Sequence, residues 1–228
     1  MAEQIKMSDE NRNQMMWILA SASPRRKELL SQIGLPFEVM VSEADENVGE
    51  NLPPGELVEK LSFAKAAAVS EKLYAVSSIF GKKNEPADRK DKVAGDIHVA
   101  QATIGIIGAD TVVYHNGKVL GKPKDEEDAF DMLKSLSGDT HSVFTGVTIL
   151  LPKKEIVFHS ETKVTFDTLS DEEIRAYIKS GEPMDKAGAY GIQGLAGAFV
   201  THIEGEYANV VGFPIGEFCH RLRILESP

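Results

Sequence analysis

The sequence predicts an α/β protein, a central mixed β-sheet flanked by helices. Three observations predict it. Short apolar, strand-like runs are interleaved with segments of helical period. Helix starts and stops are marked by Ser-Pro, capping and glycine signals. No internal repeat is present, and the irregular interleaving of strands and helices favours a mixed sheet. With 228 residues, 42 % of them apolar, the chain can bury the core of one large domain or of two small lobes.

Each element follows from local chemistry. Residues 1–14 are polar and are expected to fray. Met16 to Ala20 reads as a short buried strand. Ser23 and Pro24 are an N-cap and first-position pair opening a helix whose apolar side is Leu29, Leu30 and Ile33, stopped by Gly34. Phe37, Val39 and Val41 alternate with Glu38 and Met40 as in a strand. Leu57, Leu61, Ala64 and Ala68 give a helix over 56–75. The stretch 76–103 loses the apolar period and carries the charged run GKKNEPADRKDKVAGD, so it reads as a flexible insertion in a single domain spanning 15–228. Ile104 to Ile107 and Thr111 to Tyr114 form two strand-like runs, followed by the hairpin signal Asn116-Gly117. Ala129, Met132, Leu133 and Leu136 predict a helix ending at Gly138. Residues 141–151 and 156–167 predict an antiparallel strand pair, and Ser170 with Glu173 a capping box for a helix through Ile178, closed by Gly181. Residues 198–203 and 207–212 resemble a last hairpin. Pro214 opens a final helix using Ile215, Phe218, Leu222 and Leu225.

Composition narrows function. Lys and Arg total 25 against 35 Asp and Glu, a formal charge of −10, so the surface repels duplex nucleic acid. An anionic substrate would then need its basic residues gathered in one place, or a divalent cation. No apolar run is long enough to span a membrane, and no targeting segment is expected at the polar start. The single Cys219 excludes a disulfide framework and a cysteine zinc cluster, and a cytoplasmic home is expected. P-loop, dinucleotide-fingerprint, zincin and nucleophile-elbow patterns are absent.

Four places could carry chemistry. In Ser21-Ala22-Ser23-Pro24-Arg25-Arg26, two arginines occupy a first helical turn, where the helix dipole disfavours cations unless an anion joins them. The alternative is an ordinary solvated basic patch. Asp110, between the apolar runs Ile106-Ile107 and Val112-Val113, needs a donor, a cation or a proton if it is buried. It could serve a metal or a water, or it could be a turn aspartate, with Gly108 marking a bulge or a close approach. Glu43, Asp45 and Glu46 follow a strand, where a hard cation could bind, though acidic loops are common in so acidic a chain. Residues 185–194, DKAGAYGIQG, space glycines at intervals of three around Gln193, whose amide can read a base edge. A plain glycine-rich connection is the other reading. Lys65 and Lys122 matter only if folding brings them to one phosphate.

Together the motifs LASASPRRKELL, IGADTVV, GKP, LSGDTHSVFTGV and DKAGAYGIQG, in that order from about residue 16 to 225, resemble the Maf family of nucleoside triphosphate pyrophosphatases. The resemblance implies hydrolysis between the α and β phosphates with a divalent cation, Mg²⁺ or Mn²⁺. It implies an elongated two-lobed fold with an intervening cleft, akin to the inosine triphosphatases, and a homodimer. It implies Asp110 as proton acceptor, Glu46 with Asp110 on the metal side, and Ser21, Ser23, Arg26, Lys65 and Lys122 around the phosphates. Arg25, Thr111 and Gln193 fall on the positions that separate the branches, and they match the dTTP/UTP branch. The expected partner is a nucleoside triphosphate, with neither nucleic acid nor membrane. A non-catalytic nucleotide-binding regulator of cell division is the alternative.

Overall fold

The computed structural model describes residues 15–44, 52–81 and 103–226. Residues 1–14, the acidic Asp45 and Glu46, and most of the expected insertion, 82–102, lie outside the described residues. A seven-stranded mixed sheet forms the centre. β1 (Met15–Leu19) lies between β2 (Phe37–Val39) and β3 (Thr103–His115), parallel to both. β3 continues antiparallel into β5 (Thr140–Leu151), β6 (Lys154–Phe166) and β7 (Val200–Glu204). β4 (Lys118–Leu120) folds back on the end of β3. The described residues also hold six α-helices, α1 (Pro24–Gln32), α2 (Pro54–Gly81), α3 (Glu126–Leu136), α4 (Asp171–Ile178), α5 (Tyr207–Val211) and α6 (Ile215–Glu226), and three short 3-10 helices between Glu182 and Phe199.

Strand alternation assigns the two faces of the sheet. Ile107, Ala109, Thr111 and Val113 of β3 stand opposite Ile149, Val147, Thr145 and Val143 of β5. One end of this face joins Leu19, Leu29, Leu30, Phe213 and Phe218 in a buried cluster beneath α1 and α6. The other end joins Leu133, Phe166, Ile174 and Tyr190 beneath α3 and α4. On the reverse face, α2 packs Ala66 and Val69 against Ile18 and Ile106, and Val58 against Val112 and Phe144.

Local signals produced most of these elements. The Ser23 side chain caps α1, and the Ser170–Glu173 capping box opens α4. Asn116 and Gly117 take φ of 48° and 79°, the paired left-handed conformation of a tight hairpin turn. Four expectations need correction. β3 is one 13-residue strand, so Asp110 lies inside a strand and not in a turn between two. The strand expected over 37–41 stops at Val39. The helix expected over 56–75 runs from Pro54 to Gly81, because each residue added to a nucleated helix gains a hydrogen bond without a new nucleation cost, so the insertion expected from residue 76 is helical at its start. The second arm of the expected last hairpin is instead α5: Gly205, at φ 129°, turns the chain, and Thr162 Oγ1 holds both the N–H and the carbonyl of Glu206.

Candidate active site

β3 has two differently partnered edges. β5 covers one edge from Ile106 to Tyr114. The other edge is taken by β1 as far as Ile107 and by β4 from Val113 onward. Among the described residues, no strand pairs with that edge between Gly108 and Val112. β1 leaves the sheet here, its last contact being the Ala20 N–H on the Ile107 carbonyl at 2.8 Å, and delivers the chain into α1. An opening beside a strand that loses its neighbour is where α/β sheets place ligands.

Arg26 reaches into this opening from α1. Its Nε donates to the Gly212 carbonyl at 2.9 Å, Nη1 to Ser21 Oγ at 3.3 Å and Nη2 to Thr111 Oγ1 at 2.9 Å. These bonds offset the roughly 0.3–1 kcal/mol by which a helix dipole disfavours a cation in the first turn. Ser21 Oγ also accepts from the Ser23 N–H at 3.2 Å, and Ser23 Oγ from the Arg26 N–H at 3.5 Å.

Asp110 lies one residue before Thr111 and therefore points to the opposite face. There it forms an ion pair with Lys65 of α2, each side chain 15 % exposed. Two glycines permit the approach of α2. A Cβ on Gly108 would collide with the Ser62 carbonyl and with Ala66, and one on Gly146, which pairs with Asp110, with the backbone of Val58 and Glu59. Two consecutive strand residues thus each hold a cation, one from each helix flanking the open edge. A carboxylate this enclosed is tolerable because it is paired.

Of the other expected residues, Arg25 and Lys122 lie beside the glycine-rich segment. Lys122 is exposed just after β4 and makes no hydrogen bond or ion pair among the described residues. The neighbouring Gly121 carbonyl accepts from the Gly188 N–H at 3.0 Å, and Arg25 lies 4.0 Å from Asp185. The glycine-rich segment therefore bridges Arg25 and the Lys122 loop, and neither residue touches Asp110. Gln193 is exposed on this segment. Glu46 lies outside the described residues, and Glu43 pairs at 2.9 Å with Lys72.

Several supporting residues were not singled out in the sequence. The Tyr177 hydroxyl donates to Glu182 Oε1 at 2.9 Å and accepts from the Gly191 N–H at 3.1 Å, while Glu182 Oε2 accepts from the Leu195 N–H at 3.1 Å. Together they strap the segment carrying Gln193, and burial pushes the Tyr177 phenol up from its ordinary range. His141 Nε2 bonds the Tyr190 hydroxyl at 2.8 Å beneath the same segment, where Ala189 sits at φ 59°. His141 and Tyr190 fall inside conspicuous motifs, whereas nothing in the pattern marks Glu182.

Relatives are similar to this chain over nearly its whole length. A dTTP/UTP pyrophosphatase of Bacillus cereus is 43 % identical over 214 residues, 94 % of this chain and 92 % of the relative. A protein of the same name from Bacillus mycoides is 42 % identical over 210 residues, 92 % of this chain and 95 % of the relative. The sequence profile described as Maf-like protein matches residues 16–225, a span that takes in β1, the open edge of β3 and both helices supplying its cations, and the chain belongs to the Maf family.

Proposed function

We propose that this protein hydrolyses dTTP and UTP between the α and β phosphates, giving the nucleoside monophosphate and pyrophosphate. The observation that carries the reading is the pair of adjacent strand residues, Asp110 with Lys65 and Thr111 with Arg26, at the open edge of β3. The name dTTP/UTP pyrophosphatase, carried by relatives above 40 % identity over nine-tenths of this chain, supports it.

Phosphoryl transfer asks a protein for positioning and charge neutralisation. A triphosphate lying along the open edge would meet Arg26 and the Ser21–Ser23 turn on one side and Lys65 on the other. Lys122 closes the rim. A water attacks the α phosphorus, the bond from that phosphorus to the α–β bridging oxygen breaks, and pyrophosphate leaves with the bond's electron pair. Asp110 accepts the proton that the water gives up. Gln193, on its strapped segment, would pair with N3–H and a carbonyl of the pyrimidine, with Arg25 and Thr111 at the other positions of the dTTP/UTP branch.

Asp110, a little-exposed carboxylate at the open edge, suits a divalent cation carried by the substrate. Among the described residues no group of three or more His, Cys, Asp or Glu could hold a metal alone. Mg²⁺, and Mn²⁺ by the same chemistry, binds through one or two carboxylates together with substrate phosphates. Asp110 and Glu46 would be those carboxylates. When bound, the cation supplies charge neutralisation on the triphosphate. A single domain over 15–228, two lobes with a cleft between them, a homodimer and a cytoplasmic location complete the proposal. Among the described residues, no helix is long and apolar enough to cross a membrane.

The test is pyrophosphate release from UTP with Mg²⁺, comparing the wild type with Asp110→Asn. Losing a general base costs about 10²–10⁴-fold. Orthophosphate as the product, or equal and negligible release by both proteins, overturns the proposal, and the second outcome favours a nucleotide-binding regulator.

A further inference from the structure

On the sheet face shared by α1 and α3, two apolar clusters are separated by a polar belt. Ala109 and Val147 belong to one cluster, Val113 and Val143 to the other, and between them Thr111 faces Thr145. Thr145 and Asn209 are fully buried. Hydroxyls placed there destabilise the fold unless each proton and lone pair is used.

The bonds run in one direction. Thr145 Oγ1 donates to the Asn209 carbonyl at 3.0 Å, which commits its only proton. Thr111 Oγ1 then has two acceptors for its proton, Thr145 Oγ1 at 3.0 Å and the Gly212 carbonyl at 3.5 Å, and the shorter contact runs from Thr111 to Thr145. Thr111 is left to accept, and at 2.9 Å it accepts from Arg26 Nη2. The terminal carbonyl belongs to α5, a five-residue helix anchored by its own buried side chain. Asn209 Nδ2 donates at 3.0 Å to both the Val143 carbonyl and Thr162 Oγ1. Just past α5, the Gly212 carbonyl receives Arg26 Nε.

We propose that Thr145 and Asn209 are positioning residues for Arg26. Through this relay and the Gly212 carbonyl, the α5 turn sets the plane of the guanidinium before any phosphate arrives. The inference rests on the reading above that Arg26 holds phosphate. A guanidinium already oriented loses less side-chain freedom on binding and meets the developing charge without rearrangement.

The experiment compares Thr145→Val, which keeps the shape without the hydroxyl, and Thr145→Ser, which keeps the hydroxyl, each with and without Arg26→Lys. Pyrophosphate affinity by calorimetry with Mg²⁺, KM and kcat on UTP, and thermal midpoint are measured. Thr145→Val is expected to weaken pyrophosphate binding and raise KM about tenfold, since one lost interaction of about 1.4 kcal/mol is a factor of ten. Thr145→Ser is expected to recover most of this, and in the Arg26→Lys background Thr145→Val should add little further loss. A folded Thr145→Val protein that binds pyrophosphate as the wild type does, or a loss that multiplies in full with Arg26→Lys, overturns the proposal. Should Thr145→Val fail to fold, nitrogen NMR of the nucleotide-free wild type decides. Resolved, slowly exchanging Arg26 side-chain N–H signals support the relay, and freely averaged signals overturn it. This readout needs no turnover, so an inactive wild type would sink the proposed function and leave the positioning question answerable.

Discussion

Gly108→Ala tests whether the seating of α2 on the sheet builds the site. A Cβ at Gly108 would lie 2.9 Å from Ala66 Cβ and closer still to the Ser62 carbonyl oxygen, where ordinary contact begins at 3.4 Å. The obstructing oxygen is backbone and cannot rotate away, so α2 must retreat by on the order of 1 Å in an interior packed without slack. Overpacking of this kind costs about 1–3 kcal/mol, and in a chain of this length that lowers the thermal midpoint by roughly 2–12 °C. The retreat also carries Lys65 away from Asp110, and a misplacement near 1 Å can cost about 10²-fold in rate. Gly55→Ala is the control on the same helix. Its Cβ would meet the far end of the part-exposed His159 ring, which can swing aside, so stability and activity should change little. Differential scanning fluorimetry and pyrophosphate release measure both effects. A Gly108→Ala protein with wild-type midpoint and wild-type rate would refute the claim that close helix seating sets the site.

Two further predictions concern stability. Burial pushes the His141 imidazole down to about 4, with the charge of His115 adding to the shift and Asp139 opposing it. An unfolded histidine protonates near 6.5, so between those values the unfolded chain binds more protons and stability falls as the solution is acidified, by about 3 kcal/mol across the window. Urea unfolding at pH 7.5, 5.5 and 4.5 should show that decline, and His141→Gln should flatten it; equal slopes would contradict the assignment. Ser170→Ala removes a capping box in which the serine hydroxyl accepts from the Glu173 N–H at 3.2 Å. It should cost about 1 kcal/mol, a fall of roughly 2–4 °C in the thermal midpoint, and a shift under 0.5 °C would show that the cap carries no load.

Legibility followed the range of the interaction. The Ser23 cap, the Asn116-Gly117 turn and the pairing of β5 with β6 depend on neighbours a few residues apart or on one tight reversal, and all were readable in advance. α5 departs from the strand expected there because Thr162 and Val143, more than forty positions away, hold Asn209 and override any local preference for a strand. Asp110 was visible as an awkward carboxylate among apolar residues. Its interior place in β3 was hidden, because its ion pair depends on how closely α2 can approach. Lys122 stands in Gly121-Lys122-Pro123 with nothing local to mark it, and folding sets that loop beside the glycine-rich segment that also meets Arg25.

By itself the amino-acid order determined the caps, the turns, the apolar faces and the ordered motifs, since these depend on spacing along one strand or one helix. Only the tertiary structure decided that Asp110 and Thr111 point to opposite faces and meet cations from two different helices. It also decided that a buried turn near the C-terminal end holds Arg26 in place. Such contacts join residues dozens of positions apart, and their existence depends on whether a missing side chain, at Gly108 and Gly146, lets two backbones touch.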